Sequence, residues 1–212
     1  MNLDYGKDNK ERIPFEHYKA EYAGKDPLEI SSRTGFPYSE EDGTFTVRFM
    51  GKEYLVTFPE FEVRRTQEDD SWCPLLELPA AKILVIRHLN EGIQADSTGK
   101  FLTYREVPWG EVYYRQFNGR CMMRLAFSYG NRQEAFQHAM EAFGAEKVKA
   151  GDMGYQFEVF PGFFVQFLLW EGDDEFPPSS QILFSDNFPA AFHAEDLVVV
   201  CDVAITALKQ MK

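Results

Sequence analysis

The sequence predicts an α+β domain: a mostly antiparallel sheet built from two hairpins, with helices packed against it. Three observations carry that expectation. Two pairs of strand-like segments, rich in β-branched and aromatic residues, are each joined by a two-residue turn, Met50-Gly51 in one and Pro161-Gly162 in the other. Around them lie segments whose apolar residues recur with a helical period. Aromatic residues make up 16% of the 212 residues and 20 are phenylalanine, enough for a large core without disulfides or a structural metal. Length, with no linker or internal repeat, predicts one domain over 1–212, residues 1–24 forming a peripheral helical segment.

Each element follows from its residues. Residues 1–24 are charged but carry Phe15, Tyr18 and Tyr22 at helical spacing. Asp26-Pro27 opens a second helix, Asp26 as cap and Pro27 at its first position, and Gly35 stops it. Residues 44–49 and 52–58 form the first hairpin, and 61–65 continue as a third strand. Residues 66–72 read as an acidic loop. Leu75 to Leu89 is helical in period, with Pro79 splitting or kinking it. A polar loop over 92–99 leads to the apolar run 101–104 and the turn Pro108-Trp109-Gly110. Residues 111–129 fit either helix or strand. Val112, Phe117, Met123 and Phe127 need not alternate, which favours helix, with Gly130 as its stop.

Asn131-Arg132-Gln133-Glu134 has the form of a capping box. The apolar face Ala135, Phe136, Ala139, Met140 and Phe143 follows, and Gly144 ends that helix. Residues 154–160 and 163–170 form the second hairpin, apolar enough for a sheet centre covered on both faces. A last helix spans about 194–211 and buries Leu197, Val200, Cys201, Ala204, Ile205 and Leu208. Glu195 and Asp196 in its first turn and Lys209 in its last suit the helix dipole.

Charge and composition exclude several functions. With 22 basic against 34 acidic residues the net charge is −12, which argues against a nucleic-acid binder and against docking on anionic lipid. The first residues lack a signal-peptide pattern, and no apolar run is long enough to span a membrane. Three widely spaced cysteines, Cys73, Cys121 and Cys201, make a poor disulfide framework; they predict a cytoplasmic setting and small apolar core positions.

No phosphate-binding glycine loop, nucleophile elbow, paired histidines or close cysteine pair is present. Of the four histidines, His17 and His138 read as surface residues and His88 as a cation helping a helix end. His193 precedes Glu195 and Asp196 and could approach the acidic run Glu171, Asp173, Asp174, Glu175. Asp173, Glu175, His193 and Glu195 are therefore candidate ligands for a divalent cation, or a source of acid–base pairs. The competing structural reading is a solvated loop followed by helix-capping acids.

A second cluster is Trp109, Tyr113, Tyr114, Arg115, Arg120 and Arg124, an arginine excess in an acidic chain. Arg120 and Arg124 are four apart and share a helix face. Trp109, Arg115, Arg120 and Arg124 could hold an anionic or flat ligand by stacking and bidentate bonds. The competing reading pairs these arginines with the protein's own carboxylates.

The order of segments is also informative. Trp170-Glu171-Gly172-Asp173-Asp174-Glu175-Phe176-Pro177, then Ile182-Leu183-Phe184-Ser185-Asp186, then Ala194-Glu195-Asp196-Leu197 form one series of landmarks. Upstream stand Asp26-Pro27-Leu28-Glu29-Ile30, Phe58-Pro59, Tyr104-Arg105-Glu106-Val107-Pro108-Trp109-Gly110 and Gly151-Asp152. Over about residues 20–208 the chain resembles domain-of-unknown-function family 3786, whose members are uncharacterised and come mainly from anaerobic bacteria and archaea. Some look fused to an iron–sulfur cluster segment, so the resemblance implies a neighbourhood of anaerobic redox or corrinoid metabolism. Three cysteines cannot supply a four-cysteine cluster site here. Asp173, Glu175 and Glu195 match family motif positions, but the resemblance brings no catalytic residue with it.

These readings favour a cytoplasmic, non-catalytic ligand-binding or accessory module linked to anaerobic metallocofactor metabolism, with a small molecule or protein as partner. The alternative is an enzyme that uses Asp173, Glu175 and Glu195 as a divalent-metal or acid–base site.

Overall fold

A computed structural model describes residues 5–66 and 72–210. These form two compact units, 1–94 and 95–212. The expected acidic loop over 66–72 lies almost wholly outside the described residues. The α+β class holds, and every strand pair is antiparallel. The two hairpins, however, sit in separate sheets instead of sharing one. Each hairpin recruits edge strands from its own sequence neighbourhood, so its open edges are already taken.

In the first unit the order is α1 (Tyr5–Ala23), α2 (Pro27–Thr34), β1 (Tyr38–Ser39), β2 (Thr44–Phe49), β3 (Lys52–Thr57), β4 (Val63–Arg65), α3 (Pro74–Glu77) and α4 (Pro79–Glu91). Asp26 caps α2 by accepting the Leu28 N–H at 2.9 Å, and Gly35 closes it at φ 75°. The sheet runs β1-β2-β3-β4. Met50 and Gly51 both take positive φ, 49° and 76°, the backbone of a two-residue hairpin turn. Phe45, Val47, Phe49, Tyr54 and Val56 are buried. Pro79 does split the helical run, giving α3 and α4.

Arg33 secures the C-terminal end of α4. Its guanidinium donates to the carbonyls of Leu89 at 2.7 Å, Asn90 at 3.1 Å and Gly92. Those are carbonyls that a helix end leaves without an intrahelical donor. Arg33→Ala is expected to lower stability by about 2 kcal/mol, since several charge-assisted bonds are lost together. Urea unfolding of the variant beside Arg33→Lys would check it; equal losses would mean that charge, and not the forked donor geometry, matters.

The second unit contains β5 (Phe101–Thr103), α5 (Gly110–Phe117), α6 (Met123–Tyr129), α7 (Gln133–Ala142), β6 (Glu146–Val148), β7 (Met153–Phe160), β8 (Phe163–Trp170), β9 (Ser179–Ser185), α8 (Phe188–Ala191) and α9 (Ala194–Leu208). Its sheet runs β5-β9-β8-β7-β6, with the predicted hairpin β7–β8 inside it. Rings of Phe160, Phe163, Phe184, Phe188 and Phe192 pack edge-on, tilted or stacked at 5.2–5.5 Å. Cys121 and Cys201 are buried here and Cys73 is buried in the first unit; none forms a disulfide. The capping box expected at Asn131 is absent: Arg132 occupies the cap position of α7 and offers no side-chain bond. Among the described residues no helix is long and apolar enough to cross a membrane.

Candidate functional site

The ambiguous segment 111–129 is helical, and its two faces differ sharply. Gly110 starts α5 where a Cβ would lie 1.8 Å from the Tyr104 carbonyl oxygen, so only glycine fits. Phe117 ends α5 stacked on Tyr104, with centroids 3.9 Å apart and planes within 3°, and the Tyr104 hydroxyl donates to Ala194 O at 2.9 Å. Residues Asn118–Met122 then form a π turn, closed by the Met123 N–H on Asn118 O, before α6 begins. Such turns insert a residue into the helical register. Phe117, Cys121, Leu125, Ala126 and Tyr129 face the core.

The opposite face carries Val112 (70% exposed), Met123 (46%) and Phe127 (65%), and Trp109 (73%) precedes it. Sequence periodicity marked Val112, Met123 and Phe127 as apolar helix positions, but the π turn that sets the register of Met123 and Phe127 against Val112 has no residue signature. Trp109 also holds a left-handed backbone, φ 66°. That conformation is costly for a residue with a Cβ. Here burial of the indole does not offset it.

The arginines of the predicted ligand cluster divide. Arg124 turns inward, bonding to the Asp202 carboxylate and, at 2.9 Å, to Thr206 Oγ1. Arg120 reaches the same carboxylate at 3.1 Å from a more exposed position. Both therefore follow the competing reading and pair with the protein's own acid. Arg115 and Trp109 point outward, and Arg115 has no ion pair among the described residues. Arg105 lies over the Tyr114 ring at 3.8 Å and approaches Glu111 at 3.5 Å.

The acidic candidates are dispersed. Asp173 Oδ1 accepts the N–H groups of Phe176 at 2.7 Å and Glu175 at 2.8 Å, a turn-forming role that holds its carboxyl below the ordinary carboxylate range. Glu175 itself is exposed. His193 is the exposed residue before α9, its N–H bound by Asp196 at 3.0 Å. Glu195 lies beside Tyr113 and raises that phenol by hydrogen bonding and by charge. No three His, Cys, Asp or Glu side chains converge as metal ligands among the described residues, so Asp173, Glu175, His193 and Glu195 are not brought together.

Clefts are few. In the first unit one of 350 Å³ is lined by Arg48, Lys52, Glu53, Arg65, Thr66 and Cys73, but its three cations already engage other groups. In the second unit a cleft of 370 Å³ lies between Ser128, Tyr129, Arg132, Ala135, Ala139, Leu208 and Lys209. None of these residues stood out in the sequence as a site, because the cleft joins positions some 80 apart with no motif between them.

Among protein families, the model described as "Domain of unknown function (DUF3786)" matches residues 26–207. No curated protein and no solved structure matches the chain.

Proposed function

We propose, for a chain that belongs to the DUF3786 family, that it is a non-catalytic accessory module docking a partner protein through the outward face of α5 and α6. The observation that carries this reading is the exposure of Trp109, Val112, Met123 and Phe127 along one helical segment. Large apolar side chains gathered on a surface mark interaction sites, and tryptophan is a favoured anchor. The left-handed backbone at Trp109 adds to it, since strain of that kind concentrates where function requires it.

The partner's chemistry follows from the flanking charges. Of the three arginines in residues 110–129, Arg120 and Arg124 share the Asp202 carboxylate, which leaves one acid between two cations, and Arg115 is exposed with no ion pair among the described residues. The complementary surface has an apolar centre and a carboxylate rim. A cytoplasmic setting is supported by three cysteines outside any disulfide. Service to an anaerobic metallocofactor enzyme is the finer form of the proposal and rests on the family resemblance. The enzyme alternative at Asp173, Glu175 and Glu195 has no gathered donor set behind it among the described residues.

A photo-crosslinker placed at Val112, in an anaerobic bacterial host carrying the gene, tests the reading. One discrete adduct with another protein is expected, reduced about tenfold or more by Phe127→Asp and by Arg115→Glu. Adducts only between copies of this chain, or adducts indifferent to both substitutions, would overturn it.

A further inference from the structure

We infer that the partner docks through a helix that lies along α5 and α6, carries acids on both flanks of an apolar ridge, and comes closest to this chain at Gly119. The inference rests on the docking role proposed above and names the element that fills it.

The exposed positions Val112, Gln116, Gly119, Met123 and Phe127 follow one another at steps of three or four residues. Positions spaced in that way form one stripe along a helical segment, and the π turn shifts the stripe without dispersing it. From Val112 to Phe127 it runs about 20 Å, close to four helical turns. A stripe of this period is matched by a second helix, whose ridges of side chains three and four apart seat between those of the first. An extended strand repeats every second residue and falls out of step with it.

Gly119 supplies an independent observation. It is exposed in the middle of the stripe, inside a continuous helical segment, where glycine costs stability relative to alanine. Its own fold does not require it. The backbone there is not left-handed, and an added Cβ would meet no atom within 4 Å beyond its own helical turn. Gly110 and Gly130 are different, since a Cβ at those positions would lie 1.8 Å from Tyr104 O and 2.2 Å from Pro178 Cβ. The missing side chain at Gly119 leaves a notch on the docking face in which a neighbouring helix backbone can seat, toward the short end of the usual spacing of about 8–10 Å between helix axes. The competing account is that this glycine eases the π turn.

The flanks set the charge of the occupant. At about 100° per residue, Arg115 and Arg120 fall on opposite sides of the stripe. Arg115 is exposed without an ion pair among the described residues, while Arg120 is 55% exposed and shares Asp202 with Arg124. Carboxylates on both sides of the partner helix complement this pair and fix its position along the stripe.

Photo-crosslinkers placed in turn at Val112, Gln116, Met123 and Phe127 of the full chain, in the same anaerobic host, read the element directly once the captured partner residues are mapped. Those residues are expected to advance along one segment at spacings of three or four, with Asp or Glu among them. Gly119→Leu fills the notch and should cut the Val112 adduct about tenfold or more. Gly119→Ala should leave the urea midpoint equal to the native value or higher. Captured residues that alternate by two, or scatter over several segments, would overturn the inference. So would a Val112 adduct indifferent to Gly119→Leu; if that adduct still fell with Phe127→Asp, the docking role would stand without the helix. A urea midpoint lowered by Gly119→Ala would assign the glycine to the π turn and remove the close approach.

Discussion

Acidification from about pH 7 to about pH 4 is expected to remove on the order of 3 kcal/mol of stability through His88 alone. His88 is 3% exposed on α4, packed edge-on against Phe36 at 5.7 Å, with Gly92 so close that a Cβ there would meet the imidazole at 2.1 Å. Burial, and then the Arg33 charge, push its pKa from 6.5 down to about 3. The folded protein keeps the ring neutral while the unfolded chain protonates it from pH 6.5 downward. Stability is therefore full above 6.5 and is lost progressively as pH falls toward 3.

Asp173 and Asp186 act in the same direction, because their carboxyls are held low by donors, in Asp186 first by Ser97 and Thr98. A His88→Leu variant keeps those carboxylates and loses the imidazole. Its urea midpoint should fall less steeply over the same pH window than that of the native chain. Parallel slopes would show that His88 is protonated inside the fold.

His88 also illustrates where sequence reading stops. Its position near a helix end suggests a cation helping the dipole, yet the chain buries it neutral, because α2 and the residues after it bring Arg33 and Phe36 against it. Local signals were legible wherever the physics was local. Asp26, Pro27 and Gly35 bound α2, Met50-Gly51 and Pro161-Gly162 make the two hairpin turns, and Pro79 breaks the helix. The capping-box pattern at Asn131 failed because Arg132 occupies the cap position instead. Which sheet each hairpin joins depends on edge strands as short as β1, β5 and β6, two or three residues each, too brief for any periodicity.

The candidate site was legible in composition and not in orientation. Trp109 and the arginines were visible as an unusual cluster, but Asp202, which takes up Arg120 and Arg124, lies some 80 residues away on α9. The cleft at Tyr129 and Lys209 depends on the same kind of long-range pairing. Spacing arguments see one element at a time, and both features are built from two or three.

Phe117→Ala is expected to destabilise the protein by about 3–5 kcal/mol, the usual cost of emptying a fully buried aromatic site. The ring is wholly buried, stacked on Tyr104 at 3.9 Å and 6.0 Å from Phe184, so its removal leaves a void bordered by rigid rings. The consequence reaches the docking face, because Phe117 fixes α5, which carries Val112, immediately before the π turn that leads into α6 with Met123 and Phe127. Loss of stability and loss of partner crosslinking should therefore appear together in Phe117→Ala. In Phe127→Asp they should separate, with crosslinking lost and stability within about 0.5 kcal/mol of the native value, as for other exposed positions. Chemical denaturation beside the Val112 crosslinking assay measures both quantities on the same preparations. If Phe127→Asp proved as destabilising as Phe117→Ala, that phenylalanine would belong to the core and the docking surface would lose its strongest apolar anchor after Trp109. A stable Phe117→Ala would mean that the Tyr104 hydroxyl bond to Ala194 and the Gly110 start hold the segment without the stack.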